Sequence, residues 1–444
     1  MNQSLNPYWN TRRHLPRVGS ALLAVVFAFL PSSLFAQPQP ATRATVATAL
    51  SEPTWVDNAT NAFEVVAVRS RGNKRTHHSV ILRAAAIEPG ARLTESDLAE
   101  VRQRVMNLRL FSKVTARREK TTRGDVLVIE VAERWTLIPL PMVVGSGDGV
   151  TVGGVLFEMN LFGRNKQLAL GGNFSDRGSQ FFAFYQDPAV FGTRFIGQLS
   201  ARYYTGPKKR YESETVIDAF EDRSATVSLL GGYRLTKHAS LLVGAFADFG
   251  STEVYGDFMP PPERETIFGP QIRLRYDGQN YKIIANEGLR MEARYRHGLQ
   301  SPRDVAMLDI QSNLGRILPW NHSLSLSLGF HLRRGDHFLD ALILGGMAGT
   351  RGFHEQGLWV ETAALSTVEY AIPLFGALGG TWTFAAFVDG GVTEWNDDTQ
   401  TFITPGIGLR FFLKNVAIPA VGIDLSYSID EGEVFPSAAI GLAM

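Results

Sequence analysis

Apolar and polar side chains alternate through the C-terminal two-thirds of this chain, and this pattern restricts the fold more than any other feature. In residues 323–332 every second position is leucine or phenylalanine, with serine, glycine or histidine between them. Successive side chains of a β-strand point to opposite faces, whereas one face of a helix repeats every 3.6 residues. The segment therefore predicts a strand with one apolar and one polar face.

A second segment shows that the polar faces of such strands are also charged. In residues 288–296 one face carries Leu, Met, Ala and Tyr, and the other carries three arginines and a glutamate. A soluble β-sandwich also alternates, but it would crowd these charges unless they met water or opposite charges. A barrel in lipid meets both demands with an apolar outside and a polar lumen, and its closure removes unpaired sheet edges. Residues 136–444 are therefore predicted to form an all-β antiparallel transmembrane barrel.

About sixteen alternating segments make up the predicted barrel. They begin near Val150, Lys166, Gln180, Arg194, Glu212, Ala225, Ala239, Thr266, Glu287, Asp304, His322, Glu361, Thr381, Thr404, Ala420 and Phe435. The first strand is predicted as Val150–Met159 and the last as Phe435–Met444. Some connections are as short as residues 176–178, while residues 336–359 form a long one, so one rim should carry long loops and the other tight turns.

The N-terminus has the pattern of a secretory signal peptide. Arginines at positions 12, 13 and 17 precede the apolar run 21–30, and a small residue, Ala36, follows it. A membrane anchor would need about 20 apolar residues, twice this length. Residues 1–36 are thus predicted as a signal peptide and residues 37–61, rich in Pro, Ala, Thr and Ser, as a flexible linker. The chain has no cysteine and a net charge of +1, so neither thiolate chemistry nor nucleic-acid binding is indicated.

Residues 62–135 change to a mixed pattern that predicts a small α+β domain. A strand from Phe63 ends at the turn Gly72-Asn73, and a short helix covers 78–86. Thr94 and Asp97 form a capping-box pattern at the start of a second helix. Two strands, 114–119 and 125–133, complete a β-α-α-β-β order.

Three motifs in the barrel region stand in a defined order. They are Leu344-Gly-Gly-Met-Ala-Gly-Thr-Arg-Gly-Phe353, Ser366-Thr-Val-Glu-Tyr-Ala-Ile-Pro373 and Phe387-Val-Asp-Gly-Gly391. Asn160-Leu-Phe-Gly-Arg164, Asp187-Pro188 with Phe191-Gly192, and Leu110-Phe-Ser-Lys-Val114 precede them. This succession resembles the BamA/TamA superfamily (bacterial surface antigen family), whose members include outer-membrane insertases and two-partner-secretion transporters. Residues 62–135 resemble a single polypeptide-transport-associated (POTRA) domain, with Gly72, Asn73 and Phe111 at its typical positions.

The resemblance implies a loop that folds into the lumen and is held there by an arginine. Its motif would be Arg351, Gly352 and Phe353, paired with Asp389, with Glu369 as a second candidate carboxylate and Gly345, Gly346 and Gly391 as motif glycines. From the residues alone, an arginine offers two-point bonding to a carboxylate, but Arg351 could equally be a solvated loop residue. Thr350 departs from the Val or Ile of the motif, and Met444 departs from the usual aromatic C-terminus.

No catalytic, cofactor or metal site is indicated. Gly145-Ser-Gly-Asp-Gly149 only superficially suggests a serine-nucleophile elbow and is interpreted as a hinge before the barrel. His77-His78 lacks a third ligand nearby, so solvated histidines are the preferred interpretation. The basic cluster Lys208-Lys209-Arg210 is interpreted as a loop tip or a spot facing lipopolysaccharide.

For an outer-membrane protein with a periplasmic POTRA domain, the preferred function is an assembly factor of BamA/TamA type that aids insertion or translocation of other polypeptides, with an export pore and a passive porin as the alternatives. An assembly factor would pair the POTRA sheet edge with an incoming strand and open a lateral seam at Val152, Gly441 and Leu442. An export pore would pass one dedicated polypeptide, although such transporters usually carry two POTRA domains. A passive porin would leave the motifs unused. Expected partners are outer-membrane lipids and lipopolysaccharide, unfolded outer-membrane or secreted polypeptides, and periplasmic or inner-membrane accessory proteins.

Overall fold

A computed structural model describes the chain from residue 62 to residue 440. The described ranges are 62–146, 149–212, 215–264, 266–281, 285–299, 305–335, 339–346, 350–354, 356–413 and 419–440. The predicted signal peptide and linker, and the seam residues Gly441 and Leu442, lie outside these ranges. Among the described residues no helix is both long and apolar enough to span a membrane.

The N-terminal domain has the predicted α+β order, with one additional two-residue strand. Its elements are β1 (Phe63–Arg71), α1 (His78–Ala85), β2 (Arg92–Leu93), α2 (Glu95–Met106), β3 (Phe111–Thr121) and β4 (Gly124–Glu133). The sheet order is β2-β1-β4-β3, in which β1 and β4 are parallel and the other pairs antiparallel. Both helices pack on one face of this sheet around a core that includes Val65, Ile81, Val101 and Phe111.

The predicted capping box is present at the start of α2. The backbone amide of Thr94 donates to the Asp97 carboxylate at 2.7 Å, and the Asp97 amide donates back to the Thr94 hydroxyl. The Thr94 amide and the Thr94 hydroxyl both donate to the Asp97 carboxylate, which lowers the pKa of Asp97. The hydrogen bonds of the capping box satisfy amides that the first turn of a helix leaves without partners.

The remaining strands close into an antiparallel barrel of sixteen strands, as the sequence predicted. Its first eight are β5 (Leu137–Ser146), β6 (Gly149–Leu161), β7 (Lys166–Ser175), β8 (Gly178–Asp187), β9 (Phe195–Glu212), β10 (Thr215–Arg234), β11 (Ala239–Val254) and β12 (Ile267–Asp277). The short β13 (Asn280–Tyr281) pairs with the start of β14 (Asn286–Gly298), which β15 (Val305–Ile317) and β16 (Ser323–Arg334) follow. A two-stranded insertion, β17 (Leu342–Leu344) and β18 (Leu358–Val360), precedes β19 (Thr362–Ala377), β20 (Gly380–Trp395), β21 (Asp398–Leu413), β22 (Pro419–Ser428) and β23 (Glu433–Ile440).

The count of sixteen came from two errors that cancel. The sequence pattern missed β5, which contains Pro139 and Pro141 and shows little alternation, because proline inside a run argues against a paired strand. It also divided β10 into two segments, because the polar run Glu221-Asp222-Arg223-Ser224 resembles a turn. In the structure this run lies inside one continuous strand.

The barrel closes between β23 and β5, so the predicted first strand is wrong. Among the described residues four pairs join these strands, from Ser437 opposite Ser146 to Ile440 opposite Val143. Val152, predicted at the seam, lies one strand further on in β6, where it faces Val143 of β5 and Phe174 of β7. We call the β23–β5 contact the seam.

Exposure follows the alternation. On β20, Val388 is 45% exposed on the outer face, whereas its neighbour Asp389 is 2% exposed inside the barrel. The N-terminal domain lies against one mouth of the barrel, and the β17–β18 insertion enters from the opposite end.

Candidate functional site

The β17–β18 insertion is a hairpin whose tip reaches the barrel wall. Gly345 and Gly346 leave β17 with φ of 125° and 69°, a backbone region that favours glycine. A Cβ on Gly345 would collide with the carbonyl of His354. The Gly346 amide donates to the Phe353 carbonyl at 2.9 Å, which folds the tip back on itself. This compact turn carries Arg351 at its end.

Arg351 forms a two-point contact with Asp389 of β20. Its Nε donates to Asp389 Oδ2 and its Nη2 to Asp389 Oδ1, both at 2.8 Å. Asp389 also accepts a hydrogen bond from the Thr367 hydroxyl at 2.8 Å. The guanidinium carbon of Arg351 lies 3.3 Å from the centre of the Phe387 ring. The arginine is therefore held from its edge by a carboxylate and from its face by an aromatic ring.

Two further charged residues of the wall extend this contact. Arg351 Nη1 donates to Asp424 Oδ2 at 3.1 Å, and Arg410 Nη2 lies 3.3 Å from the same oxygen. Glu369, the second candidate carboxylate, lies 2.8 Å from Arg410 but 3.8 Å from Arg351. Glu369 is thus mainly a partner of Arg410. We call Arg351, Arg410, Glu369, Asp389 and Asp424 the Arg351 site, which places two cations among three carboxylates.

Several of these residues were missed by the sequence analysis. Asp424, Arg410, Thr367 and Ser426, whose hydroxyl donates to the Arg351 carbonyl at 2.6 Å, lie in strands that flank the motif strand or close the barrel. The available signal was a charged residue on the inner face of an otherwise apolar strand, as in Gly-Leu-Arg410-Phe-Phe and Gly-Ile-Asp424-Leu.

The remaining motif residues build a close contact between the loop and the wall. Phe353 packs edge-on against Phe402, with ring centroids 4.9 Å apart. A Cβ on Gly352 would meet the Thr404 side chain, and one on Gly391 would meet the ring of Phe402. Thr350, at the position where the motif has Val or Ile, is completely buried. The small residues thus let loop and wall approach closely.

Apolar packing fixes the base of the insertion. Trp359 of β18 contacts Phe220 and Trp395, each with ring centroids 6.2 Å apart, and its indole donates to the Lys209 carbonyl at 3.1 Å.

Residues 208–210 lie within β9, so their interpretation as a loop tip is wrong. Lys208 points inward to an ion pair with Asp222 at 2.8 Å.

The N-terminal domain is joined to the other mouth by backbone and side-chain contacts. The His77 amide donates to the Gly163 carbonyl at 2.8 Å, and Asn160 donates to the Thr76 hydroxyl at 3.0 Å. Glu133 accepts from the backbone amides of residues 74–76. Burial opposes ionisation of Glu133, but these amide hydrogen bonds prevail and lower its pKa.

The predicted POTRA residues have structural places in this domain. Gly72 has a φ of 85°, and a Cβ there would collide with the Val131 carbonyl. Asn73 donates to the Thr76 carbonyl at 3.0 Å, next to the contact with the barrel. Phe111 is completely buried in the domain core.

A tyrosine from the barrel forms a second contact with this domain. The ring of Tyr281 lies 5.1 Å from the guanidinium carbon of Arg109 and 5.5 Å from that of Arg134. Its hydroxyl accepts from Arg134 at 3.2 Å, and its amide donates to Asn107 at 3.1 Å. We call this group the Tyr281 contact. Behind it, α1, α2 and the barrel wall line a cavity of about 1740 Å³.

The histidine pair has ordinary hydroxyl partners. His77 Nδ1 lies 3.0 Å from the Ser79 hydroxyl, and His78 Nδ1 lies 2.6 Å from that of Ser70. Within the described ranges, no group of three or more His, Asp or Glu side chains is placed to hold a metal ion.

Comparison with known families identifies the superfamily to which this chain belongs. The Omp85 superfamily domain matches residues 160–412, more than half of the chain. The chain belongs to the Omp85 superfamily. The POTRA family, described as a surface antigen variable number repeat, matches residues 63–134. This Omp85 chain therefore has one POTRA domain in the periplasm and a barrel in the outer membrane, so the mouth beside the POTRA domain is periplasmic and the other is extracellular.

Individual relatives are distant. The outer membrane protein assembly factor BamA of Neorickettsia risticii is 27% identical over 183 residues, which are 40% of this chain and 24% of that protein. BamA from Haemophilus ducreyi lacking POTRA domains 1–3 has a similar fold, with a TM-score of 0.53, 14% identity, and 85% and 84% of the two chains covered. CdiB from Acinetobacter baumannii gives a TM-score of 0.59 at 14% identity, covering 85% of this chain and 74% of its own.

Proposed function

We propose that this Omp85 protein is an assembly factor that receives unfolded polypeptides at its POTRA domain and inserts them into the outer membrane through the seam. The observation that carries the proposal is the place where the barrel closes. Every other barrel contact joins barrel strands that follow one another along the chain, whereas the seam joins the last described strand, β23, to the first, β5. No turn of the chain connects the two seam strands, so the barrel can open there without stretching a connection between neighbouring strands.

The composition of β5 supports the same conclusion. Pro139 and Pro141 have no N–H to donate, so β5 can form fewer backbone hydrogen bonds with a neighbouring strand than a strand without proline. Once the seam is open, an incoming strand can pair with the backbone of β5 by β-augmentation, in which main-chain hydrogen bonds supply the affinity.

The POTRA domain offers a second free edge. Strand β3 pairs with β4 on one side, and no described strand pairs with its other side. Its eleven residues, Phe111–Thr121, are long enough to hold an extended segment before delivery. Accessory proteins that act with this chain would bind the same domain.

The Arg351 site bears on the route that a client takes. A polypeptide that crossed the lumen would have to displace the insertion hairpin from the wall, whereas one inserted through the seam would not. Export remains the second candidate because the fold matches CdiB as well as BamA, and because the periplasmic cavity leads into the lumen.

Stapling the seam tests this proposal. The chain has no cysteine, so a Gly145→Cys/Ala438→Cys pair, opposite each other across the seam, can be joined by oxidation or a short thiol reagent. The matched control is Gly145→Cys/Val150→Cys, which joins β5 to β6 instead. Assembly of other barrels, measured by their heat-modifiable mobility in outer membranes, should fall with the seam staple and recover on reduction. Normal assembly with the seam closed would overturn the proposal.

A further inference from the structure

The periplasmic turns of the barrel place large apolar residues in an unfavourable backbone conformation. Phe162, Phe191, Trp320 and Leu378 have φ between 51° and 60°. Their exposed fractions are 80%, 98%, 83% and 84%. Left-handed backbone at such turns ordinarily selects Gly, Asn or Asp. Each of these positions thus combines a strained backbone with an apolar side chain that no described residue covers.

Strand β20 provides an internal comparison, because a two-residue hairpin turn lies at each of its ends. The periplasmic turn is Leu378-Gly379, with φ of 51° and 74°. The extracellular turn is Asn396-Asp397, with φ of 52° and 67°. The backbone requirement is the same at both ends, and the extracellular turn meets it with polar residues. Turn geometry therefore does not explain the leucine.

The apolar tips continue the lipid-facing wall of the barrel. Phe375, 58% exposed, contacts Trp382 on the outer face just before the Leu378 turn, with ring centroids 6.4 Å apart. Phe195 and Tyr233 form a similar outer pair, at 5.3 Å, beside the Phe191 turn.

The Trp320 turn shows the same continuity. The ring centroids of Trp320 and His322 are 6.0 Å apart, and those of His322 and Tyr370, a residue of the outer face, are 5.6 Å apart. Aromatic side chains are the residues that membrane interfaces enrich. A surface that runs without a break from the lipid-facing wall onto the turns fits the same solvent, the phospholipid of the inner leaflet.

We propose that Phe162, Phe191, Trp320 and Leu378 form an anchoring ring that inserts into the periplasmic leaflet of the outer membrane. The ring makes the two ends of the barrel different: the periplasmic turns are embedded among phospholipids, while the Asn396-Asp397 turn stays in water. It fixes the depth of the barrel in the membrane independently of how the seam or the POTRA domain is used.

The absence of native cysteine allows a direct depth measurement. Single variants Phe162→Cys, Phe191→Cys and Leu378→Cys each carry a nitroxide label, with Asn396→Cys as the matched control. The full-length chain is placed in nanodiscs of phosphatidylethanolamine and phosphatidylglycerol, which leave both faces open to water. Collision of the label with oxygen reports an apolar environment, and collision with a water-soluble nickel chelate reports an aqueous one. Heat-modifiable mobility verifies folding of each variant.

The ring predicts several-fold lower collision with the nickel chelate at the three tips than at Asn396→Cys, with the opposite order for oxygen. Equal accessibility of the tips and the control in these bilayers, which contain no other membrane or periplasmic protein, would overturn the proposal. It would point to a periplasmic protein as the occupant. The readout does not involve assembly activity, so its failure and that of the proposed function are distinguishable.

Discussion

An arginine contact holds a separate part of the molecule at each end of the lumen, and the two contacts differ in chemistry. At the extracellular end Arg351 is buried and paired with Asp389 and Asp424 through charged hydrogen bonds. At the periplasmic end Arg109 and Arg134 pack on the neutral ring of Tyr281. Breaking a buried charge pair leaves an uncompensated charge, whereas a cation–π contact with a neutral ring is worth about 0.5–2 kcal/mol. We therefore expect the Tyr281 contact to be exchanged more readily than the Arg351 site.

Reversing the charge at the Arg351 site should have the largest effect. Arg351→Glu would place four carboxylates around the single cation Arg410, at a cost of about 3–5 kcal/mol by analogy with other broken buried pairs. We expect release of the hairpin, seen as new cleavage by protease added to intact cells. The double variant Arg351→Glu/Asp389→Arg should restore part of the protection. Full protection in the single variant would show that the apolar packing of Phe353 and Trp359 suffices.

Neutralising individual carboxylates should give a graded result. Asp389→Asn removes the charge of the two-point partner, and we expect a loss of about 1.5–3 kcal/mol in loop stability. Glu369→Gln should affect the loop less, because this carboxylate lies 3.8 Å from Arg351 and 2.8 Å from Arg410. Hydrogen exchange of residues 350–354 measures both. Equal effects would mean that the carboxylates act through total charge and not through geometry.

At the Tyr281 contact we expect a smaller and more local effect. Tyr281→Ala removes both cation–π contacts and the hydroxyl acceptor, worth about 0.5–2 kcal/mol for a cation–π pair. The barrel should keep its heat-modifiable mobility. The distribution of distances between a spin label on the POTRA domain and one on the barrel should broaden. Tyr281→Phe, which retains the ring, is the control and should broaden it little. A rigid POTRA position in Tyr281→Ala would contradict an exchangeable contact.

The smallest predicted effect is a dependence on pH at the same mouth. The pKa of Glu133 is lowered in the folded state, so the stability it contributes is present above its usual value near 4.5 and is lost as pH falls through the folded value. Acidification below that range should loosen the turn at residues 74–76, detected as faster hydrogen exchange. Glu133→Gln should remove this pH response. A response that survives in the variant would assign it to another group.

The sequence predicted the architecture better than the contacts between its parts. Alternation along a strand and the capping box at Thr94 are local, so one segment was enough to predict each. The pairing of Arg351 with Asp389 was anticipated through family resemblance. Asp424 and Arg410 were missed because they become neighbours of Arg351 only when the sheet closes, and closure depends on the register of every strand. The prolines of β5 concealed the true first strand, so the seam was predicted one strand too late, at β6.

The most direct test of the account is to close the loop permanently and measure assembly. A Cβ on Gly352 would lie 2.9 Å from Thr404 Cβ, so a Gly352→Cys/Thr404→Cys disulfide needs only a small shift. If clients enter the membrane through the seam, the oxidised chain should assemble other barrels as well as the reduced one does. Loss of assembly on oxidation, with recovery on reduction, would contradict it and show that the client must pass the Arg351 site.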